Sequence, residues 1–76
     1  MNVYLRMGGI PLRDAIHCPS IRQAKQDFLA TAQGLSRYGQ SLDASIHIAS
    51  REGNLKEYPD YVLGLGPRGG LQTIRV

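Results

Sequence analysis

The segment from Ser20 to Gly39 constrains this chain more than any other. It reads as one amphipathic helix with a marked start and a marked end, set among short β-prone runs. Ser20-Ile21-Arg22-Gln23 fits a capping box, in which the Ser20 hydroxyl and the Gln23 side chain each satisfy a backbone N–H that the first helical turn leaves without a partner. Ile21, Ala24, Phe28, Leu29, Ala32 and Leu35 then recur at intervals of three and four, which places them on one stripe facing a sheet. Arg22, Lys25, Gln26 and Gln33 fall outside that stripe. Gly34 is tolerated inside the helix, Arg37 sits in the last turn, and Gly39 is suited to a left-handed C-terminal cap, so the spacing predicts a helix over residues 21 to 38.

The flanking runs alternate at the period of a strand. Asn2 to Met7 sets Val3, Leu5 and Met7 on one side and Tyr4 and Arg6 on the other, and Gly8-Gly9 ends it. Arg13 to Cys18 is expected to fold back on this first strand as a hairpin, stopped by Pro19. Ser41 to Ser50 reads as a half-buried strand, with Ala44, Ile46 and Ile48 on one face and Ser45, His47 and Ala49 on the other. Arg51-Glu52-Gly53-Asn54 marks a turn, Tyr61 to Leu65 a further strand, Gly66 to Gly70 a connection, and Leu71 to Val76 the last strand. The order β(β)αβββ predicts an α+β domain, residues 1–76, in which one helix packs on an antiparallel sheet. At 76 residues there is room for one small core, where burial and conformational entropy nearly cancel, so self-association as a homodimer is a natural expectation.

Several kinds of chemistry are disfavoured by the same reading. A lone Cys18 gives no disulfide framework, and with only His17 and His47 beside it there is no set of structural zinc ligands. His17 and Cys18 are adjacent, so on an extended segment they point to opposite faces and cannot pair as nucleophile and base. His47 reads as a surface or partly buried histidine on the more polar face of its strand. Asp14, Asp27, Asp43, Glu52, Glu57 and Asp60 are scattered, without the spacing of a metal site or of paired acids. Gly64-Leu65-Gly66-Pro67-Arg68-Gly69 has the spacing G-x-G-x-x-G, but the β-prone run that follows supplies no helix N-terminus for a pyrophosphate. A hairpin with Arg68 near its tip and positive φ at Gly69-Gly70 fits those residues better. The expectation is a protein that is not an enzyme and needs no metal or cofactor. No apolar run of roughly 18 residues is present for a membrane span, and the opening residues lack the order of a signal peptide, so a cytoplasmic protein with no membrane partner is expected.

What remains suggests binding. Nine Lys and Arg against six Asp and Glu give a net charge of +3, with Arg22 and Lys25 near the helix start, Arg37 at its end, and Arg51, Lys56 and Arg68 at or near turns. Arg68 on a stiff turn suits a carboxylate or phosphate. Tyr58 and Tyr61, in Tyr58-Pro59-Asp60-Tyr61, offer the apolar area and polar tip that interfaces favour. Arg22, Lys25, Arg68, Tyr58 and Tyr61 are therefore the candidate partner-binding residues. The same cations could contact the phosphates of DNA or RNA directly, although no basic stripe or aromatic RNA-binding motif accompanies them.

Ile16-His17-Cys18-Pro19-Ser20-Ile21-Arg22-Gln23-Ala24-Lys25, where a short strand enters a capped helix, resembles small proteins carried by bacterial phages and plasmids, including the anti-CRISPR inhibitors of type I surveillance complexes. Arg37-Tyr38-Gly39-Gln40, Tyr58-Pro59-Asp60-Tyr61-Val62-Leu63 and Gly66-Pro67-Arg68-Gly69-Gly70 are similar to segments of small mobile-element proteins of proteobacteria. The resemblance implies a compact inhibitor that binds a bacterial protein or nucleoprotein complex, in some cases where target DNA would enter. Arg22, Lys25 and Arg68 are then the cations available for that contact.

Overall fold

The computed structural model describes residues 2–76, which form one α+β domain. Its elements are β1 (Val3–Met7), a 3-10 turn (Leu12–Asp14), β2 (Ile16–Cys18), α1 (Ile21–Ser36), β3 (Ala44–Ile48), β4 (Tyr61–Leu65) and β5 (Leu71–Arg75). The strands make a single sheet in the order β2-β1-β3-β4-β5, antiparallel at every pairing. β2 and β3 both flank β1, so α1 carries the chain from one side of the first strand to the other.

Both ends of α1 are fixed by local chemistry. Ser20 Oγ accepts a hydrogen bond from the Gln23 N–H at 3.1 Å, as its position predicts. The reciprocal half of the capping box does not form, because the Gln23 amide donates instead to Asp27 Oδ1 at 2.8 Å, one helical turn ahead. At the other end the regular helix stops at Ser36, two residues before the expected Tyr38. The N–H groups of Gln40 and Gly39 then donate to the carbonyls of Leu35 and Ser36 at 3.1 and 3.0 Å, with Gly39 at φ +71°. These two bonds are a Schellman motif, which satisfies the last carbonyls and needs a residue free to take positive φ.

The helix-facing side of the sheet holds the core. Val3, Leu5, Cys18, Ala44, Ile46 and Leu63 point towards α1, which buries Ala24, Phe28 and Ala32 against them. The two alanines bring the helix backbone close to the sheet, and Phe28 fills the volume between them. From the helix stripe, Ile21, Leu29 and Leu35 are only half-buried, because α1 covers β1 to β4 and leaves β5 largely open.

Three strands or turns differ from the sequence expectation. Arg13 and Asp14 belong to the 3-10 turn, closed by Asp14 N–H to Pro11 O and Ala15 N–H to Leu12 O, so the strand that pairs back on β1 is only Ile16–Cys18. β3 is shorter than Ser41 to Ser50: β1 is five residues long, and the flanking Gly8–Asp43 and Asn2–Ala49 backbone bonds close the ladder at either end. At the β4–β5 hairpin, Gly69 N–H to Gly66 O at 2.9 Å closes a turn over Pro67 and Arg68, and Gly66 N–H to Gly70 O at 2.7 Å starts the ladder. Only Gly69, at φ +79°, uses the positive-φ freedom expected of the Gly69-Gly70 pair.

Candidate functional site

The face of the sheet away from α1 is closed over β1 and β3 by the loop between β3 and β4. His47 anchors it. This side chain is 1% exposed, which corrects the expectation of a surface or partly buried histidine. Its Nδ1 lies 2.8 Å from Lys56 O and its Nε2 2.8 Å from Ser45 Oγ. A carbonyl can only accept, so Nδ1 carries a proton, and Nε2 shares its hydrogen bond with the Ser45 hydroxyl, which can donate or accept. The loop is further tied by Arg6, whose guanidinium pairs with Glu57 at 2.9 Å and donates to Ile10 O at 2.7 Å. Asp60 closes its end, its carboxylate accepting from Ile48 N–H at 2.8 Å. The polar pattern of this strand therefore served a buried clasp, which periodicity alone does not distinguish from a wet face.

Ser45 and His47 have the hydrogen-bond arrangement of a nucleophile and its base. His47, however, is sealed beneath the loop. Tyr4 stands between the two histidines on this face, paired across β1 with both His17 and His47, and its ring centroid is 5.1 Å from that of His17. Among the described residues no group of three His, Cys, Asp or Glu side chains is placed to hold a metal. Cys18 is buried, and its thiol is pushed above its ordinary value, first by burial and then by the Asp27 charge and the weak Sγ–Oδ2 hydrogen bond at 3.9 Å. A thiol held protonated in this way is a core residue, not a nucleophile.

The more open feature lies on the other side. Because α1 stops short of β5, a groove of about 390 Å³ runs between them, lined by Ile21, Leu29 and Leu71 and bordered by Arg22, Lys25 and Gln26. Three of the sequence candidates meet here. Lys25 is half-buried with its Nζ 5.8 Å from the centre of the Tyr61 ring, a cation–π contact, and Arg22 is exposed one turn earlier on the helix. Arg68 lies at the far end, exposed on the hairpin tip that α1 reaches through Gln33 Nε2 and Gly69 O at 3.4 Å. Tyr58 is not brought into this group: it is 71% exposed and follows Glu57 on the loop across the opposite face.

Arg75 was not among the candidates, yet it joins them. It pairs with Tyr61 across the β4–β5 ladder and so lies on the helix-facing side of β5. Alternation along the last strand was the available signal, but its meaning depends on how far the helix extends over that strand. Among the described residues the only ion pair is Arg6–Glu57, so none of Arg22, Lys25, Arg68 and Arg75 has a carboxylate partner within 4.0 Å.

No helix among the described residues is long and apolar enough to cross a membrane. Compared with models of known families, with curated proteins and with solved structures, the chain finds no match.

Proposed function

We propose that this is a non-enzymatic binding protein that inhibits or regulates a bacterial nucleoprotein complex, with a type I CRISPR surveillance complex as the specific target. The observation that carries the reading is the groove between α1 and β5, where apolar walls are bordered by the uncompensated charges of Arg22 and Lys25. Such a surface offers area that gains from leaving water together with cations that fix register and speed encounter with an acidic partner. The target follows from the resemblance to phage and plasmid inhibitors. Tyr61 contributes as the platform under Lys25, and Arg68 extends the positive border to the hairpin tip.

Direct binding to DNA or RNA is the second reading, and the observation favouring it is that Arg22, Lys25 and Arg75 share the helix side of the sheet without carboxylate partners, with Arg68 exposed at the hairpin tip. A protein partner suits the groove better, because its floor is apolar and Tyr61 is occupied by Lys25 instead of presenting a free ring for a base.

A tagged pull-down from lysate of a proteobacterial host with a type I CRISPR system, with and without nuclease, tests the proposal. Surveillance-complex subunits retained after nuclease treatment are the expected result. Loss of those subunits on nuclease treatment gives the role to nucleic acid, and binding that then falls steeply with salt identifies direct phosphate contact.

A further inference from the structure

The outer edge of β5 is unpaired among the described residues. Hydrogen-bonded pairs along the β4–β5 ladder are fixed at both ends by Gly66 N–H to Gly70 O at 2.7 Å and Val76 N–H to Asp60 O at 3.1 Å. Pairs alternate in an antiparallel ladder, so Gln72 and Ile74 face β4, while the N–H and C=O groups of Leu71, Thr73 and Arg75 point outwards. No backbone hydrogen bond from elsewhere among the described residues reaches those groups. The strand also lacks the usual protection of an edge: it has no proline and no covering helix, and Arg75 is its single charge. β2, the opposite edge, is only three residues long.

One of the residues that present the free backbone, Leu71, also lines the groove, and Thr73 and Arg75 continue its face along the strand. Leu71, Thr73 and Arg75 turn their side chains to the helix side, so an added strand would send alternate side chains into the space beside α1. At the Leu71 end that space is bordered by Leu29, and at the Arg75 end by Tyr61 with Lys25 over it. On the reverse face the newcomer would cover Ile74, which is 63% exposed beside Val62.

The geometry points to an extended polypeptide of the partner that adds to β5 as a sixth strand, placing an apolar side chain opposite Leu71 and an acidic one opposite Arg75. This deepens the proposed function by naming the partner's chemistry at the same groove, and rests on it only for the partner's source. Peptide backbone supplies the donors and acceptors that the edge needs at every second residue, which a sugar–phosphate chain does not. A second copy fits less well. Edge-to-edge pairing about a two-fold axis would place both helices on one side of a continuous sheet and bring Arg22, Lys25 and Arg75 of both chains to one groove with no acid between them.

The test is an amide NMR titration with the acetylated peptide Thr-Leu-Thr-Leu-Thr-Glu-Thr, which matches the parallel register, and its reverse sequence, which matches the antiparallel one. The expected result is saturable shifts at Leu71, Thr73 and Arg75 and at Lys25, with slowed hydrogen exchange at the three edge amides. Replacing the peptide's Glu by Lys, or methylating its alternate backbone nitrogens, should weaken binding at least tenfold. Thr73→Pro, which removes an outward N–H and leaves the β4 ladder intact, should abolish the edge shifts, and the methylated peptide makes the same point on the unaltered protein. Equal shifts with the Lys peptide, shifts elsewhere, or no shifts with either Glu peptide would overturn the proposal. So would a concentration-dependent dimer of the free protein that protects the β5 amides, since the edge would then belong to a second copy. Edge binding with no surveillance complex in the pull-down would sink the target and leave the strand addition standing; a retained complex unaffected by Thr73→Pro would do the reverse.

Discussion

Replacing His47 separates the buried clasp from a solvated histidine. His47→Phe keeps a ring of similar size against the sheet but removes the bonds to Ser45 Oγ and Lys56 O, both 2.8 Å in the native protein. With Lys56 C=O left beneath the loop without its donor, the expected loss is about 1–3 kcal/mol. His47→Ala also opens a cavity at a site 1% exposed, which raises the loss to about 3–5 kcal/mol. For a chain of this size the total stability is on the order of 4–11 kcal/mol, so the alanine variant should be close to unfolding at body temperature. Urea denaturation followed by far-UV circular dichroism is the assay. With a slope of about 1–2 kcal/mol per molar, the His47→Phe midpoint should fall by roughly 1 M. Ser45→Ala should cost about 0.5–1.5 kcal/mol alone and less in the His47→Phe background, because the two changes break one bond. A His47→Phe loss under about 0.5 kcal/mol, the size expected of a surface substitution, would refute the clasp.

Three further outcomes follow from the core and the caps. Phe28→Ala removes the largest fully buried side chain and should cost about 3–5 kcal/mol in the same assay. Gly39→Ala places a Cβ at φ +71° within the Schellman motif and should cost about 1–2 kcal/mol, with no change in groove binding. Burial holds the folded Cys18 thiol above its ordinary value of 9.0, so the unfolded chain ionises first. The thiol's contribution is fully present below about pH 9 and is lost as pH rises towards the folded value, so denaturation midpoints should fall more steeply with alkalinity than those of Cys18→Ala.

What could be read from the sequence was whatever depends on neighbours along the chain. Ser20 and Gly39 bound the helix because their bonds reach only a few residues, and alternation at Val3–Leu5 and Ala44–Ile46 marks the core face directly. The burial of His47 was hidden, since it depends on a loop returning across the strand to offer Lys56 O. The groove was hidden for a similar reason. Ile21 and Leu29 belong to the apolar stripe whether or not a strand lies beneath them, and only the position of α1 over β1 to β4 leaves them facing open space beside Leu71. That displacement is also what unites Arg22, Lys25 and Tyr61 with Arg75 and separates them from Tyr58, three residues before β4 but on the loop across the sheet's other face.

The most direct measurement is calorimetric titration of the purified protein into a purified, nuclease-treated type I surveillance complex, alongside the Arg22→Glu/Lys25→Glu variant. The account predicts saturable, stoichiometric binding by the native chain and at least a tenfold weaker interaction for the variant, whose far-UV circular dichroism should be unchanged. Absence of binding by the native chain, or equal binding by the variant, would contradict it.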